Sequence, residues 1–310
     1  MSEKRLDFTW VGPDREKSED IGARSISFWK DAFRRLFQNK AAIVAIVVLT
    51  MIIVLAIFVP IFSKYTIMEM NTAESYLKWF SKDSFGNFHI LGTDKFGRDV
   101  WVRIWDGARV SLIIAFAAVL VDFIIGAVYG GISGFFGGAV DNVMMRFLEV
   151  LVGIPYMIII ILLMMVMKRG VMTIIIAYAL VGWTDTARLV RGQILQLKEQ
   201  EYIMAAKVMG ASAFRMISRH LMPNTLSVMI VSLTLAIPGA IFTEAFLSFI
   251  GLGVPIPFSS WGILASEGVV VYMFQPQMLL APAFLISITM LSFNILGDAL
   301  RDAFDPKLRS

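Results

Sequence analysis

Ala41 to Phe62 is a run of 22 residues without a single charge. As a helix rising 1.5 Å per residue it reaches roughly 33 Å, enough to cross the hydrocarbon layer of a bilayer. Further apolar stretches follow at about 108–130, 146–167, 171–187, 225–247 and 278–297, so the expected fold is an all-α membrane protein with about six transmembrane helices. The whole chain agrees: 57% of its 310 residues are hydrophobic, 17% are charged, and the mean hydropathy is +0.73. That is more apolar surface than one soluble core requires.

Several function classes lose their footing on composition. The net charge is only +4, and the basic residues gather in particular segments, which argues against nucleic-acid binding. Without cysteine there is no disulfide framework, no thiolate nucleophile and no cysteine-ligated metal. The two histidines, His89 and His220, are far apart and form no H-x-x-x-H spacing, so no metal site is expected. Residues 1–40 hold nine Lys/Arg and seven Asp/Glu, too polar and too long for the leader of a cleaved signal peptide. Trp10, Phe28, Trp29, Phe33 and Phe37 interleave there with Lys30, Arg34 and Arg35. The pattern suits either a helix in the membrane interface or a polar tail leading into the first span.

An even number of spans places both ends of the chain on one side. On that side residues 1–40, 188–224 and 299–310 carry nine, six and three Lys/Arg; the opposite loop 63–106 carries six, and the turn at Lys168 and Arg169 two. The excess puts the termini in the cytoplasm. The expected organisation is an N-terminal segment 1–40, a first span 41–62, an outer loop 63–106, a core 107–298 containing an inner loop 188–224, and a tail 299–310. Gly126, Gly130, Gly134 and Gly138 recur every four residues. The first two predict close helix packing, the later ones a turn. "FIGLGVPIPFSSWG", with Pro255 and Pro257, predicts an irregular outer segment. Asp94, Arg98 and Asp99 in "LGTDKFGRD" read as a polar turn held by ion pairs or as a surface for a partner.

The inner loop reads as structured. Tyr202, Ala206, Met209 and Ala213 share helical spacing, continued by Phe214, Ile217 and Leu221. Gly210 within that pattern costs about 1 kcal/mol relative to alanine and marks a bend or a tight contact. Pro223 is expected to end this helix, and Asn224 to cap the next. The picture is a pair of short helices lying under the membrane with one exposed face.

At these residues the chain resembles the inner-membrane permeases of ATP-binding-cassette importers, whose cytoplasmic loop has the pattern E-A-A, three residues, G, nine residues, I-x-L-P. Here Met204, Ala205 and Ala206 are followed by Gly210 and Pro223 at the required separation, while Met204, His220 and Met222 depart from the family's glutamate, isoleucine and leucine. The resemblance implies that Glu201, Met204, Ala205, Ala206, Gly210 and Pro223 dock on an ATPase subunit, with Glu201 standing in for the missing glutamate.

A narrower resemblance is to the second permease of oligopeptide and dipeptide importers, with nickel importers close by. It rests on "LGTDKFGRDV", "GARVSL", "GGISGFFGGAVD", "WTDTARLVRGQ", "EAFLSFIGLGVPIPFSSWG" and "LGDALRDAFDP", which span about two thirds of the chain in the family's order. It implies a type I importer permease fold in the bacterial plasma membrane and transport of peptides, oligopeptides being the first expectation while dipeptides and a nickel complex stay open. The implied partners are a second permease, two cytoplasmic ATP-binding subunits and an external peptide-binding protein received in part by loop 63–106. No catalytic residue and no cofactor are implied for this chain. It has no Walker A pattern, so ATP and Mg would be bound by the ATPase subunits.

Asp122, Asp185 and Glu244 fall within or at the edges of spans, where a lone charge is costly. Each reads either as a pathway-lining acid suited to a peptide ammonium or as a packing hydrogen bond. A gradient-driven transporter would recruit the same acids but leave the inner loop without purpose. An intramembrane hydrolase would need a nucleophile and base that no motif here supplies.

Overall fold

The computed structural model describes residues 28–305, apart from 85, 168 and 256. Trp10 and the rest of segment 1–27, Lys168 of the basic turn, and the tail beyond residue 305 lie outside the described residues.

Helix α1 (Phe28–Gln38) turns Ala32 and Leu36 inward and leaves Trp29, Phe33 and Phe37 exposed. Its first ring, Phe28, stacks at 5.8 Å on Phe304, so the two described ends of the chain meet at one end of the bundle. Asn39 then restarts the helix. Its side chain accepts from the amides of Ala41 and Ala42 at 3.0 and 3.3 Å, and α2 (Lys40–Phe62) follows. Ala42, Ala45, Leu49, Ile52 and Ala56 alternate by three and four on its buried face, while Val44, Val47, Met51 and Phe62 face outward.

The centre of the molecule is α3 (Val100–Phe136), capped by Asp99, whose side chain accepts from the Val102 amide at 2.7 Å. At 1.5 Å per residue its 37 residues span about 55 Å, well beyond the hydrocarbon thickness. It packs most extensively on α7 (Trp183–Leu197). A Cβ at Gly126 or Gly130 would collide with Thr186 or the Ala187 carbonyl of that helix, and one at Gly134 would crowd its Arg191 carbonyl and Ile194. Gly134 therefore belongs to the packing stripe and not to the turn. The turn begins at Gly137 and Gly138, whose φ angles are 65° and 54°.

The expected span at 146–167 is broken. It starts earlier, as α4 (Gly138–Val152), and resumes as α5 (Tyr156–Val166) after a bend of 74°. Pro155 explains the break, because it supplies no amide and disfavours a helical Ile154. Helix α6 (Val171–Ala179) and α7 form one long span, Val171–Leu197. After the short α8 (Glu201–Val208), α9 runs Ala213–Phe249. Pro223 does not end a helix here. A wide turn at Met216–Leu221 lets the chain continue, with the Met222 amide bonded back to Ile217, so the missing Pro223 amide falls in the first turn of the regular stretch. Asn224 does not cap; its amide donates to the His220 carbonyl at 2.5 Å. The irregular 250–260 segment leads to the short apolar α10 (Trp261–Val271) and then to α11 (Gln277–Phe304).

Among the described residues, five helices are thus long and apolar enough to cross a membrane, and the bent α4–α5 pair makes up to six. Their shared core holds Leu49, Leu112, Ile237, Ile241, Trp261 and Phe293. Trp261 is fully buried, with its indole donating to the Ile104 carbonyl at 3.2 Å.

Candidate functional site

Two regions bear the chemistry that the sequence singles out: the segment between α7 and α9, and the acids between helices.

Lys198 ends α7 and reaches back to the Gly134 carbonyl at 3.1 Å. Helix α8 then lays Ile203 and Ala206 against Val190, Ile194, Met216, Leu221 and Met229, which fixes it to the bundle. Its other face is open. Glu201, Ala205 and Gly210 are exposed. Met204 is 50% accessible, and Val208, Met209 and Phe214 reach 88%, 81% and 81%. The helix stops at Gly210, whose φ is +81°. The Gly210 amide bonds to the Lys207 carbonyl and the Ala211 amide to that of Ala206, a left-handed terminus that glycine adopts without strain. Nothing lies within 4 Å of where a Gly210 Cβ would stand, so the residue makes a bend and no tight contact. The bend separates Ala213 from α8, and before it Ala206 faces the core while Tyr202 and Met209 are exposed. The expected single face is therefore two, and only α8 is short; the second helix is the start of the long α9. Ser212 restarts it by accepting from the Arg215 amide at 3.4 Å.

The three acids part company. Asp122 is buried in the middle of α3 with its Oδ1 unpartnered. It sits against Gly182, where a Cβ would strike its carboxylate. A cavity of about 330 Å³ opens there, lined by Asp122, Tyr178, Asp185, Thr186 and Ser232 among others. Asp185 borders the same cavity with an exposed side chain and only a loose 3.9 Å contact to Arg188. Glu244 is elsewhere. It is 1% exposed and accepts from Ser111 at 2.6 Å and Ser248 at 2.7 Å, a cage that joins α3 to α9.

Sequence reasoning passed over one pair. Arg191 of α7 donates two bonds to Asp141 of α4, at 2.6 and 2.5 Å, and Ser133 of α3 donates to the same carboxylate. This bidentate lock ties three helices at the end where α8 projects. A signal was present: Asp141 closes "GGISGFFGGAVD" and Arg191 lies in "WTDTARLVRGQ". At the opposite end Asp94 accepts from Arg98 at 2.7 Å and Arg103 at 2.6 Å, and Arg103 also reaches Glu267 at 2.8 Å and Ser259 at 3.2 Å.

Comparison with known proteins gives this arrangement a family. The model described as "Binding-protein-dependent transport system inner membrane component" matches residues 124–310. The model described as "N-terminal TM domain of oligopeptide transport permease C" matches 27–78. The chain is 48% identical to the oligopeptide transport system permease protein OppC of Bacillus subtilis over 94% of each. It is 45% identical to the dipeptide permease DppC of the same organism, over 97% of this chain and 93% of that one. With OppC of Escherichia coli K12 it shares 42% over 94% and 95%. An inward-facing MetNI methionine ABC transporter chain overlaps 64% of this chain and 94% of its own at a TM-score of 0.49 and 16% identity, too loosely to carry an argument. The chain belongs to the binding-protein-dependent transport system inner membrane components, the permeases of ABC importers. It is a multi-pass plasma-membrane transport component and not an enzyme, and its family works with a further permease, an ATPase and a binding protein.

Proposed function

We propose that this chain is one permease subunit of a peptide importer, oligopeptides being its preferred cargo. It pairs with one homologous permease, two cytoplasmic ATPases that bind the ATP and Mg, and one external peptide-binding protein. No cofactor of the transport step is assigned to the chain itself. The Lys/Arg excess of residues 1–40, 188–224 and 299–310 supports cytoplasmic termini. Support for peptides comes from relatives named as oligopeptide and dipeptide permeases at 42–48% identity over nearly the whole chain.

The observation that carries the coupling role is the exposed apolar surface of Met204, Val208, Met209 and Phe214, on a segment whose buried face is fastened to the chain's own core. Large apolar side chains left in water mark a protein contact. Glu201 stands at the first turn of α8, exposed beside this surface, and takes the role of the acid that Met204 replaces. Closure of the ATPases pushes on α8, and the anchoring of Ile203 and Ala206 passes the movement to α7 and α9. Asp122 and Asp185 line the translocation pathway and favour a peptide's ammonium group.

The test is co-purification with the ATPases after Val208→Glu and Met209→Glu. Loss of the ATPases and of uptake, with the chain still folded, is the expected result. Unchanged attachment and ATP-driven uptake would overturn the coupling assignment.

A further inference from the structure

The outer loop brings together three side chains that neither the bundle nor the coupling segment uses. Glu74 ends the short turn Thr72–Glu74, Asp83 follows the two-residue strand β1 (Ser81–Lys82), and His89 closes β2 (Phe88–His89), which pairs with β1. One ligand atom from each lies within 4.8 Å of those of the other two.

The imidazole is the informative member. His89 is 2% exposed, and its Nδ1 stands 2.7 Å from Oδ2 of Asp99, the residue that caps α3. With the Nδ1 proton donated to this carboxylate, the imidazole lone pair is on Nε2. Nε2 is buried and has no hydrogen-bond partner among the described residues. A buried nitrogen without a partner is costly unless something occupies it. Carboxylate, imidazole and ion in series is the arrangement by which proteins orient a metal-binding histidine.

The carboxylates are held as well. Glu74 Oε1 accepts from the Ser84 amide at 2.7 Å and from the Ser84 hydroxyl. Asp83 accepts from the Asn87 amide at 2.7 Å, the Asn87 side chain at 3.1 Å and the Tyr65 hydroxyl at 3.2 Å. Tyr65 also stacks on the His89 ring, with centroids 4.4 Å apart. Orientation by neighbours of this kind is what a preformed site needs and what an incidental meeting of acids lacks.

We propose that Glu74, Asp83 and His89 bind a divalent transition-metal cation of the zinc type, with Asp99 as the positioning residue behind His89. One imidazole nitrogen and two carboxylate oxygens suit zinc and its neighbours, whereas calcium and magnesium take oxygen alone. The ion joins three separate stretches of loop 63–99 to the cap of α3, so it fastens the outer loop to the bundle's central helix. The inference does not depend on the cargo or on the coupling role.

The full-length chain, purified without a histidine tag and stripped with chelator, is titrated with zinc alone. With no cysteine and only His220 as another histidine, competing tight sites are few. The wild type is expected to retain about one zinc per chain and to gain resistance to protease in loop 63–99. Glu74→Gln, whose amide oxygen still accepts from Ser84, weakens binding at least tenfold, and His89→Gln abolishes it. Asp99→Asn, still a good helix cap, weakens binding about 10- to 100-fold. Substoichiometric zinc, equal affinity in wild type and Glu74→Gln, or a preference for calcium over zinc would each overturn the assignment.

Discussion

Asp94, Arg98 and Arg103 are 0%, 1% and 2% exposed at one end of the bundle, while Val208, Met209 and Phe214 are 81–88% exposed at the other. The first end buries its charges and gives them partners within the chain. The second leaves apolar side chains without partners and fastens only the opposite face of the helix that carries them. The contrast is between two clusters: charges that find their partners within the chain need no further protein, whereas apolar side chains left without partners beside an anchored helix face leave a surface for one to cover. Substitutions can break or sharpen this contrast, because the two ends must respond to them differently.

The largest effect is expected from Asp94→Ala. Its carboxylate accepts from the Phe96 and Arg98 amides and from both guanidinium groups. Removing it leaves two buried cations short of a counter-charge, a loss of about 3–5 kcal/mol. Thermal unfolding in detergent reads this directly. A midpoint within a degree of wild type would mean that Glu267 alone balances Arg98 and Arg103, and that the end is less tightly committed than its burial indicates.

Next comes the helix pair that links the two ends. Gly130→Leu drives a side chain into the Ala187 carbonyl and is expected to cost about 1–3 kcal/mol or to separate α3 from α7. Gly192, also on α7, has nothing within 4 Å of its Cβ position, so Gly192→Ala is expected to be neutral or to stabilise by up to about 1 kcal/mol. Equal effects of the two in a detergent melt would remove the close-packing account of the glycine stripe.

Much of this is legible in the amino-acid sequence. An uncharged run such as 41–62 admits few structures other than a span, and the four-residue glycine period is a property of one helical face. Bends were harder to read. Pro155 breaks a span that hydropathy averages into one stretch, whereas Pro223, of the same residue type, is absorbed by a wide turn. The outcome rests on whether neighbouring carbonyls find other donors, which sequence does not display. The glycine-rich surroundings of Gly134 point to a turn; only the position of Ile194 across the interface makes it a packing residue. The acids show the same limit. Asp122 and Asp185 share a cavity and Glu244 does not, because partners such as Ser111 lie more than a hundred residues away in sequence. Histidine spacing says nothing of His89, because the carboxylates beside it arrive through a loop that has no periodicity to read.

Gly210→Ala tests the bend with a smaller expected loss. Nothing crowds the position, so the cost is that of a left-handed backbone with a side chain, about 1 kcal/mol. Gly210→Asn should recover part of it, since asparagine tolerates that conformation. A spectroscopic melt distinguishes the two. If alanine and asparagine lose equally, the strain account of the bend fails, and some contact of the side chain governs the position instead.

The smallest stability effect is expected from Phe214→Ser, and there the contrast between the ends is sharpest. The ring is 81% exposed and buries little of its own surface, so the substitution should alter the stability of the isolated chain by less than about 0.5 kcal/mol. In the assembled transporter the same substitution should loosen the ATPase, since the area it removes is counted only when a partner covers it. The pair of measurements, a melt of the chain alone and retention of ATPase on the purified complex, separates folding from docking. A loss in the melt comparable with that of Asp94→Ala would mean that Phe214 serves the chain's own fold. The Phe214 segment would then be as self-contained as the Asp94 cluster, and its exposed face would no longer argue for a partner.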